Sequence, residues 1–178
     1  MKKEGSRMKK TNFKNVLTTL LVVLLMGVLT ACGGSGGPVE YDAPSNAPYK
    51  GLYVVDKMNS SFSYSNKNGV NNFNVTMKWK TEDESIDHAD FTDEYYLEWS
   101  SEEFGPFELC EPINDMSGLK NNKHSIRPGE NADITFDVDS YFDGLPMGYY
   151  RFVKVLDVVK KDGSSEQMVV SFEFDINN

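Results

Sequence analysis

The fold is decided by the stretch Phe73-Asn74-Val75-Thr76-Met77-Lys78-Trp79-Lys80, in which apolar and polar residues alternate over four full cycles. Successive side chains of a β-strand point to opposite faces of its sheet, so this pattern predicts a strand with one dry face and one wet face. A strand of this kind must bury its dry face against a second layer. The stretch therefore indicates a β domain.

Further segments of the chain show the same period of two. The apolar sets are Tyr95, Leu97 and Trp99; Ile134, Phe136 and Val138; and Met168, Val170, Phe172, Phe174 and Ile176. Shorter candidate strands lie at 52–58, 107–110, 125–127 and 149–156, separated by turn clusters rich in Asn, Gly, Asp and Pro. About seven strands with one dry face each predict an all-β, antiparallel sandwich, with a barrel as the alternative.

A local motif stands directly before one of these strands. The segment Leu145-Pro146-Met147-Gly148-Tyr149-Tyr150 has the form Leu-x-x-Gly-x-Tyr, which is typical of a tyrosine corner. We therefore predict that the Tyr150 ring is buried and that its hydroxyl bonds to upstream backbone. Strict alternation from Tyr150 also turns Lys154 inward and its valine neighbours outward. A bulge after Phe152, or a Lys154 side chain that snorkels to water, would resolve this conflict.

The N-terminal segment has the composition of an export signal. Six basic residues precede an apolar run of 14 residues from Val16 to Leu29. A helix that spans a membrane needs roughly 20 apolar residues. Residues 1–31 are therefore predicted to be a signal peptide rather than a permanent anchor.

The apolar run ends in Leu29-Thr30-Ala31-Cys32, which resembles the lipobox of bacterial lipoproteins. In that family the cysteine sulfur receives a diacylglyceryl group, and the chain is cleaved ahead of the cysteine. The resemblance implies a cleavage site formed by Leu29, Thr30 and Ala31, and a lipidated Cys32 that holds the protein at the outer face of the bacterial cytoplasmic membrane. Two acyl chains give lasting attachment, whereas one is marginal. The alternative is a secreted protein with a chance cysteine.

Composition divides the rest of the chain into a tether and a domain. Glycine, serine and three prolines fill residues 33–48 without apolar periodicity, which predicts a flexible tether from 32 to 48 and a sandwich over 49–178. Residues 1–31 hold six of the 18 basic and one of the 27 acidic residues, so the remainder carries 12 against 26 and a net charge of −14. This charge excludes nucleic acid as a partner and leaves the lipid as the membrane attachment.

The residues that could carry chemistry are few. Seven carboxylates surround His88 within 81–94, and this run is interpreted as a solvated acidic connection in preference to a Ca²⁺ loop. His88 and His124 lack the spacing of a catalytic triad or a zinc site. With Cys32 lipidated, Cys110 has no partner for an intrachain disulfide and is interpreted as a small buried hydrophobe; an intermolecular disulfide or a reactive thiol is the alternative. The sequence predicts no catalytic residue, metal or cofactor.

Aromatic side chains are dense in the middle of the predicted domain. The core is expected to take Tyr95 and Trp99 with Leu97 between them. Tyr96, Phe104 and Phe107 would then stay partly exposed, where rings beside acidic groups could stack on a sugar or seat a partner protein. These three residues are the candidate ligand contacts.

Four segments carry short strand and corner motifs: Tyr96-Leu97-Glu98, Ile126-Arg127-Pro128-Gly129-Glu130, 144–154 and Val170-Ser171-Phe172-Glu173-Phe174. Together they resemble the bacterial immunoglobulin-like domains of surface lipoproteins over about 70–176, although Phe107 stands where a tryptophan is expected. The resemblance implies a non-enzymatic module that binds an envelope protein or glycan, or acts as a spacer. An envelope hydrolase with an unrecognised site and a Ca²⁺-stiffened spacer are the alternatives.

Overall fold

The computed structural model describes residues 38–67 and 70–176, and the predicted signal peptide and Cys32 lie outside this part of the chain. The described residues form ten strands and one short 3-10 helix, Ser117–Asn121, and none of their helices is long and apolar enough to cross a membrane. The strands are β1 (Tyr53–Val54), β2 (Met58–Lys67), β3 (Val70–Trp79), β4 (Ile86–Thr92), β5 (Tyr96–Ser100), β6 (Glu108–Leu109), β7 (Lys123–Ile126), β8 (Asn131–Asp137), β9 (Gly148–Lys160) and β10 (Ser165–Ile176).

Seven of these strands form the larger sheet: five have the order β1-β10-β9-β4-β7, and β5 and β6 branch from β9. Strand β9 has 13 residues and is long enough to pair with β5 near its start and with β4 near its end. Strand β6 extends the sheet beyond β5. Strand β1 runs parallel to β10, whereas the other strand pairs of this sheet are antiparallel, so the sheet is mixed.

The smaller sheet is antiparallel and has the order β2-β3-β8. The alternating set of β3, from Phe73 to Trp79, is buried as predicted. The smaller sheet packs against the larger one through aromatic rings. The ring centroid of Phe152, on β9, lies 5.4 Å from that of Phe73, on β3, and 4.9 Å from that of Phe136, on β8. The prediction of an all-β fold is confirmed, because both layers of the core are β-sheet.

The prediction that 81–94 is an acidic connection is wrong, because the centre of this segment is strand β4. Ala89 and Phe91 point into the core, while Asp87 and Asp90 stay exposed. The register of β4 on β9 shifts between Ile86 and His88, which is the position of a bulge or irregularity. A bulge breaks the period of two, so the strand carried no alternating signal in the sequence.

The tether predicted for 32–48 also ends earlier than expected. Residues 39–52, which we call the N-terminal strap, precede β1 and lie on the face of the larger sheet that points away from the smaller one. Tyr41, Ala47 and Tyr49 are buried there against Val153 and Val169. The strap makes few backbone hydrogen bonds of the β-ladder type, because its prolines lack the N–H donor. Burial of its side chains holds it on the sheet instead.

The strap removes the predicted conflict at Lys154. Pairing of β9 with β10 is continuous through Phe152, Val153 and Lys154, so no bulge intervenes. Lys154 points into the core with 1% of its surface exposed, and therefore does not snorkel. Val153 points outward and is covered by the strap, so both faces of β9 are dry.

Candidate functional site

Tyr150 stands at the start of β9 and anchors the loop that precedes it. The ring is buried, and the hydroxyl donates a hydrogen bond to the carbonyl oxygen of Pro146, 2.5 Å away and four residues upstream. The indole nitrogen of Trp99 donates to the carbonyl of the next residue, Met147, at 3.3 Å. Gly148 has φ 149°, and a Cβ there would lie 2.3 Å from the Trp99 indole nitrogen. The glycine of the Leu-x-x-Gly-x-Tyr motif is therefore required by this close approach.

Replacing Tyr150 with Phe should lower the free energy of unfolding by about 1–3 kcal/mol, because the Pro146 carbonyl loses its donor. Urea denaturation measures this change. Tyr149→Phe is the matched control, since its ring is on the opposite side of the strand, and it should stay within about 0.5 kcal/mol of wild type. Equal stability of Tyr150→Phe and wild type would contradict the role of this hydroxyl.

Beside this corner the surface opens into a groove of about 350 Å³, which we call the Cys110 groove. One wall is the β6 segment, and the other is the loop that follows Phe142. Buried Phe142 and Tyr150 contribute to its lining together with half-buried Trp99. The lining residues are Trp99, 108–111, Ile113, 142–146 and Tyr150.

Cys110 is half-buried in the groove that bears its name. Burial raises the pKa of its thiol to about 11, and the nearby charges of Glu98 and Glu108 act in the same direction. Only a thiolate is a good nucleophile, so at neutral pH this protonated sulfur is unreactive. The interpretation as a small apolar side chain therefore fits its surroundings better than that of a reactive thiol.

A carboxylate that the sequence analysis did not single out lies fully buried under the strap. Glu98 has 0% of its surface exposed and accepts hydrogen bonds from the hydroxyls of Tyr49, at 2.7 Å, and Tyr41, at 3.1 Å. The Arg151 guanidinium lies 3.7 Å from the same carboxylate. Burial raises the pKa of Glu98, whereas the two hydroxyls and Arg151 lower it. The carboxylate fastens the strap to the sheet. The sequence pattern did not indicate its burial, because Glu98 lies on the side of β5 that alternation assigns to solvent.

The three predicted ligand contacts have three different surroundings. The Tyr96 ring is half-buried, with its centroid 4.8 Å from that of Tyr49. Phe107 lies beneath the Arg151 guanidinium, whose central carbon is 3.7 Å from the ring centroid. Phe104 is 94% exposed in the loop between β5 and β6. Of the three, Phe104 alone offers a whole ring to solvent.

Both histidines contact carboxylates. His88 lies between Asp87, at 2.7 Å, and Asp90, at 3.4 Å, whereas the imidazole of His124 is 2.6 Å from Asp93. The His124 ring also stacks on Phe91 at a centroid distance of 5.3 Å. Among the described residues, no group of three or more histidine, cysteine or acidic side chains is placed to hold a metal ion.

Lys154 places its side-chain amino group inside the core. The nitrogen donates to the carbonyl oxygen of Glu94 at 2.8 Å and lies 5.5 Å and 5.4 Å from the ring centroids of Phe91 and Phe136. Burial lowers the pKa of Lys154 to about 7, although the nearby charges of Asp93 and Glu94 oppose this shift. The lysine packs between rings, which makes it part of the core.

Comparison with known proteins identifies no family. No family model matches this chain, and no curated protein matches it significantly. Among solved structures, the crystal structure of a protein designated ApaA from Bordetella pertussis aligns with 67% of this chain and 95% of its own, with 13% identity and a TM-score of 0.36. A likeness of this size supports no conclusion about fold or function.

Proposed function

We propose that this chain is a bacterial lipoprotein with a non-enzymatic, immunoglobulin-like binding or spacer module. In this proposal Cys32 carries the lipid at the outer face of the cytoplasmic membrane, and the domain contacts an envelope protein or glycan. The observation that carries the proposal is the lipobox-like Leu29-Thr30-Ala31-Cys32 at the end of a 14-residue apolar run that follows six basic residues.

The strand arrangement supports the immunoglobulin-like part of the proposal. A three-stranded layer, β2-β3-β8, faces a layer with β9 and β10 at its centre, and β1 joins the edge of β10 in parallel. A tyrosine corner in immunoglobulin domains lies near the start of a central strand, with its hydroxyl on backbone a few residues upstream. Tyr150 has this position on β9 and this hydrogen bond.

The polar groups of the domain support a non-enzymatic role. Among the side chains that the structure describes, Glu98 and Lys154 are the fully buried ionisable groups, and each is occupied in packing or in hydrogen bonds to its neighbours. The Cys110 thiol is protonated at neutral pH. Nucleophilic catalysis requires a base beside a nucleophile in a cleft, and neither His88 nor His124 lines the Cys110 groove.

Replacing Cys32 with Ser tests the proposed anchoring. We expect a bacterial host to attach labelled palmitate to the wild-type chain, which should fractionate with membranes. Cys32→Ser should lose the label, because a serine hydroxyl is a poor nucleophile for the lipid donor. Cys110→Ser is the matched control and should keep it. Absence of label from the wild-type chain, or label retained by Cys32→Ser, would refute the proposal.

A further inference from the structure

The Cys110 groove combines an apolar floor with an open mouth. The indole of Trp99 and the ring of Tyr150 are both tied to the Pro146–Met147 backbone, so the floor and one wall are held in place before any ligand arrives. Ile113, at 58% exposure, adds an aliphatic side chain at the mouth. A preformed apolar concavity of this size can seat one large aliphatic side chain, and little ordering is needed on the protein side.

The charges at the groove all have one sign. Glu108, Glu111 and Asp143 line it and are exposed, and none of them takes part in the ion pairs found among the described residues. No basic side chain belongs to the lining. Arg151 is already engaged by Glu98 and Glu173. Three carboxylates around an apolar floor favour a ligand that is apolar at its centre and positively charged at its flanks.

We propose that the Cys110 groove binds a basic peptide segment of a partner protein. One aliphatic side chain of that segment packs against Trp99 and Tyr150, and the lysines or arginines beside it pair with the three rim carboxylates. A second copy of this chain is a poor occupant, because the mature part carries a net charge of −14 and would bring further carboxylates to the rim. The inference rests on the proposed binding role and is independent of the lipid.

The test uses the full chain with Cys32→Ser in a non-ionic detergent, so that Cys110 is the remaining thiol. The probe is the peptide acetyl-Lys-Lys-Leu-Lys-Lys-amide. Binding is followed by fluorescence of Trp99, since the other tryptophan, Trp79, is buried in the core. The rate at which iodoacetamide alkylates Cys110 at pH 8.5 reports whether the peptide occupies the groove.

We expect saturable binding at low salt. At a peptide concentration of twice the Kd, alkylation of Cys110 should slow by about threefold if the bound peptide blocks the thiol, because about a third of the sites are then free. Removing the rim charges with Glu108→Gln, Glu111→Gln and Asp143→Asn together should weaken binding about tenfold. The matched control removes three exposed charges elsewhere, through Glu40→Gln, Glu82→Gln and Glu84→Gln, and should leave the affinity within about twofold.

Several results would overturn the proposal. Binding that does not saturate at millimolar peptide would do so, and so would an unchanged rate of Cys110 alkylation. Equal loss of peptide affinity in the two triple variants would indicate charge attraction without a specific site. If acetyl-Lys-Lys-Ser-Lys-Lys-amide bound as tightly as the leucine peptide, the groove would not recognise an aliphatic side chain. If acetyl-Gln-Gln-Leu-Gln-Gln-amide bound as tightly, the groove would bind a neutral ligand instead of a basic one. Palmitate labelling is unaffected by any of these results, so failure of this inference and failure of the proposed anchoring are distinguishable.

Discussion

Wild-type protein should gain about 2 kcal/mol in its free energy of unfolding between pH 7 and pH 9, and Lys154→Met should lose most of this gain. The pKa of Lys154 is about 7 in the folded state, against an ordinary value of 10.5. Between these values the unfolded chain binds a proton that the folded chain does not, so stability rises with pH. Below pH 7 both states are protonated, and this lysine contributes no further pH dependence.

Urea denaturation at pH 7, 8 and 9 measures this gain. Lys160→Met is the matched control, since Lys160 lies on the same strand but pairs with Glu166 at the surface, and it should retain the pH dependence of the wild type. Parallel pH profiles for wild type and Lys154→Met would show that the buried lysine is charged throughout this range. They would contradict the assignment.

Loss of the Glu98 carboxylate should be the most costly single change under the strap. In Glu98→Ala the hydroxyls of Tyr41 and Tyr49 lose their acceptor, and the Arg151 charge loses its buried partner. Breaking a buried charged group in this way costs about 3–5 kcal/mol. The strap should then open more often, which lets the Lys50–Gly51 segment, already exposed, adopt the extended conformation that trypsin cleaves.

Two measurements check this expectation: urea denaturation, and the rate of tryptic cleavage after Lys50. Glu173→Ala is the control, because Glu173 pairs with the same Arg151 at 3.0 Å but is largely exposed. Exposed pairs contribute at most about 1 kcal/mol, so this variant should be cleaved at nearly the wild-type rate. A Glu98→Ala protein with wild-type stability and cleavage would show that the strap is held by its apolar contacts alone.

The sequence predicted strands best where one face of a strand is dry and the other wet. Phe73 to Trp79 is such a case, because the polar side of β3 meets solvent. Strand β9 is dry on both faces, so the strict alternation that correctly turns Lys154 inward looked like a conflict, because Val153 then points away from the core. The conflict is resolved by the strap, whose burial comes from contacts with residues about a hundred positions away. Periodicity within one segment carries no information about such contacts.

The candidate site was predictable only where it is local. Tyr150 and its hydrogen-bond partner Pro146 lie within one six-residue motif, so the sequence pattern alone could indicate this contact. The groove instead joins the segment 108–111 to the loop 142–146, which the larger sheet brings together. Glu98 was hidden for a related reason, because a carboxylate on an alternating strand is expected in water. Its burial requires two tyrosines from a segment that reads as coil.

The strap also limits how far a lipidated form could extend from its membrane. Its first residue, Val39, is held to the body by the hydrogen bond from the Val54 amide to the Val39 carbonyl. Whatever conformation residues 33–38 adopt, the seven Cα steps from Cys32 to Val39 cover at most about 25 Å. In an acylated molecule the point at which the chain joins the domain would thus stay within about 25 Å of the lipidated cysteine. Partners that bind at this end of the domain would have to approach the phospholipid headgroups.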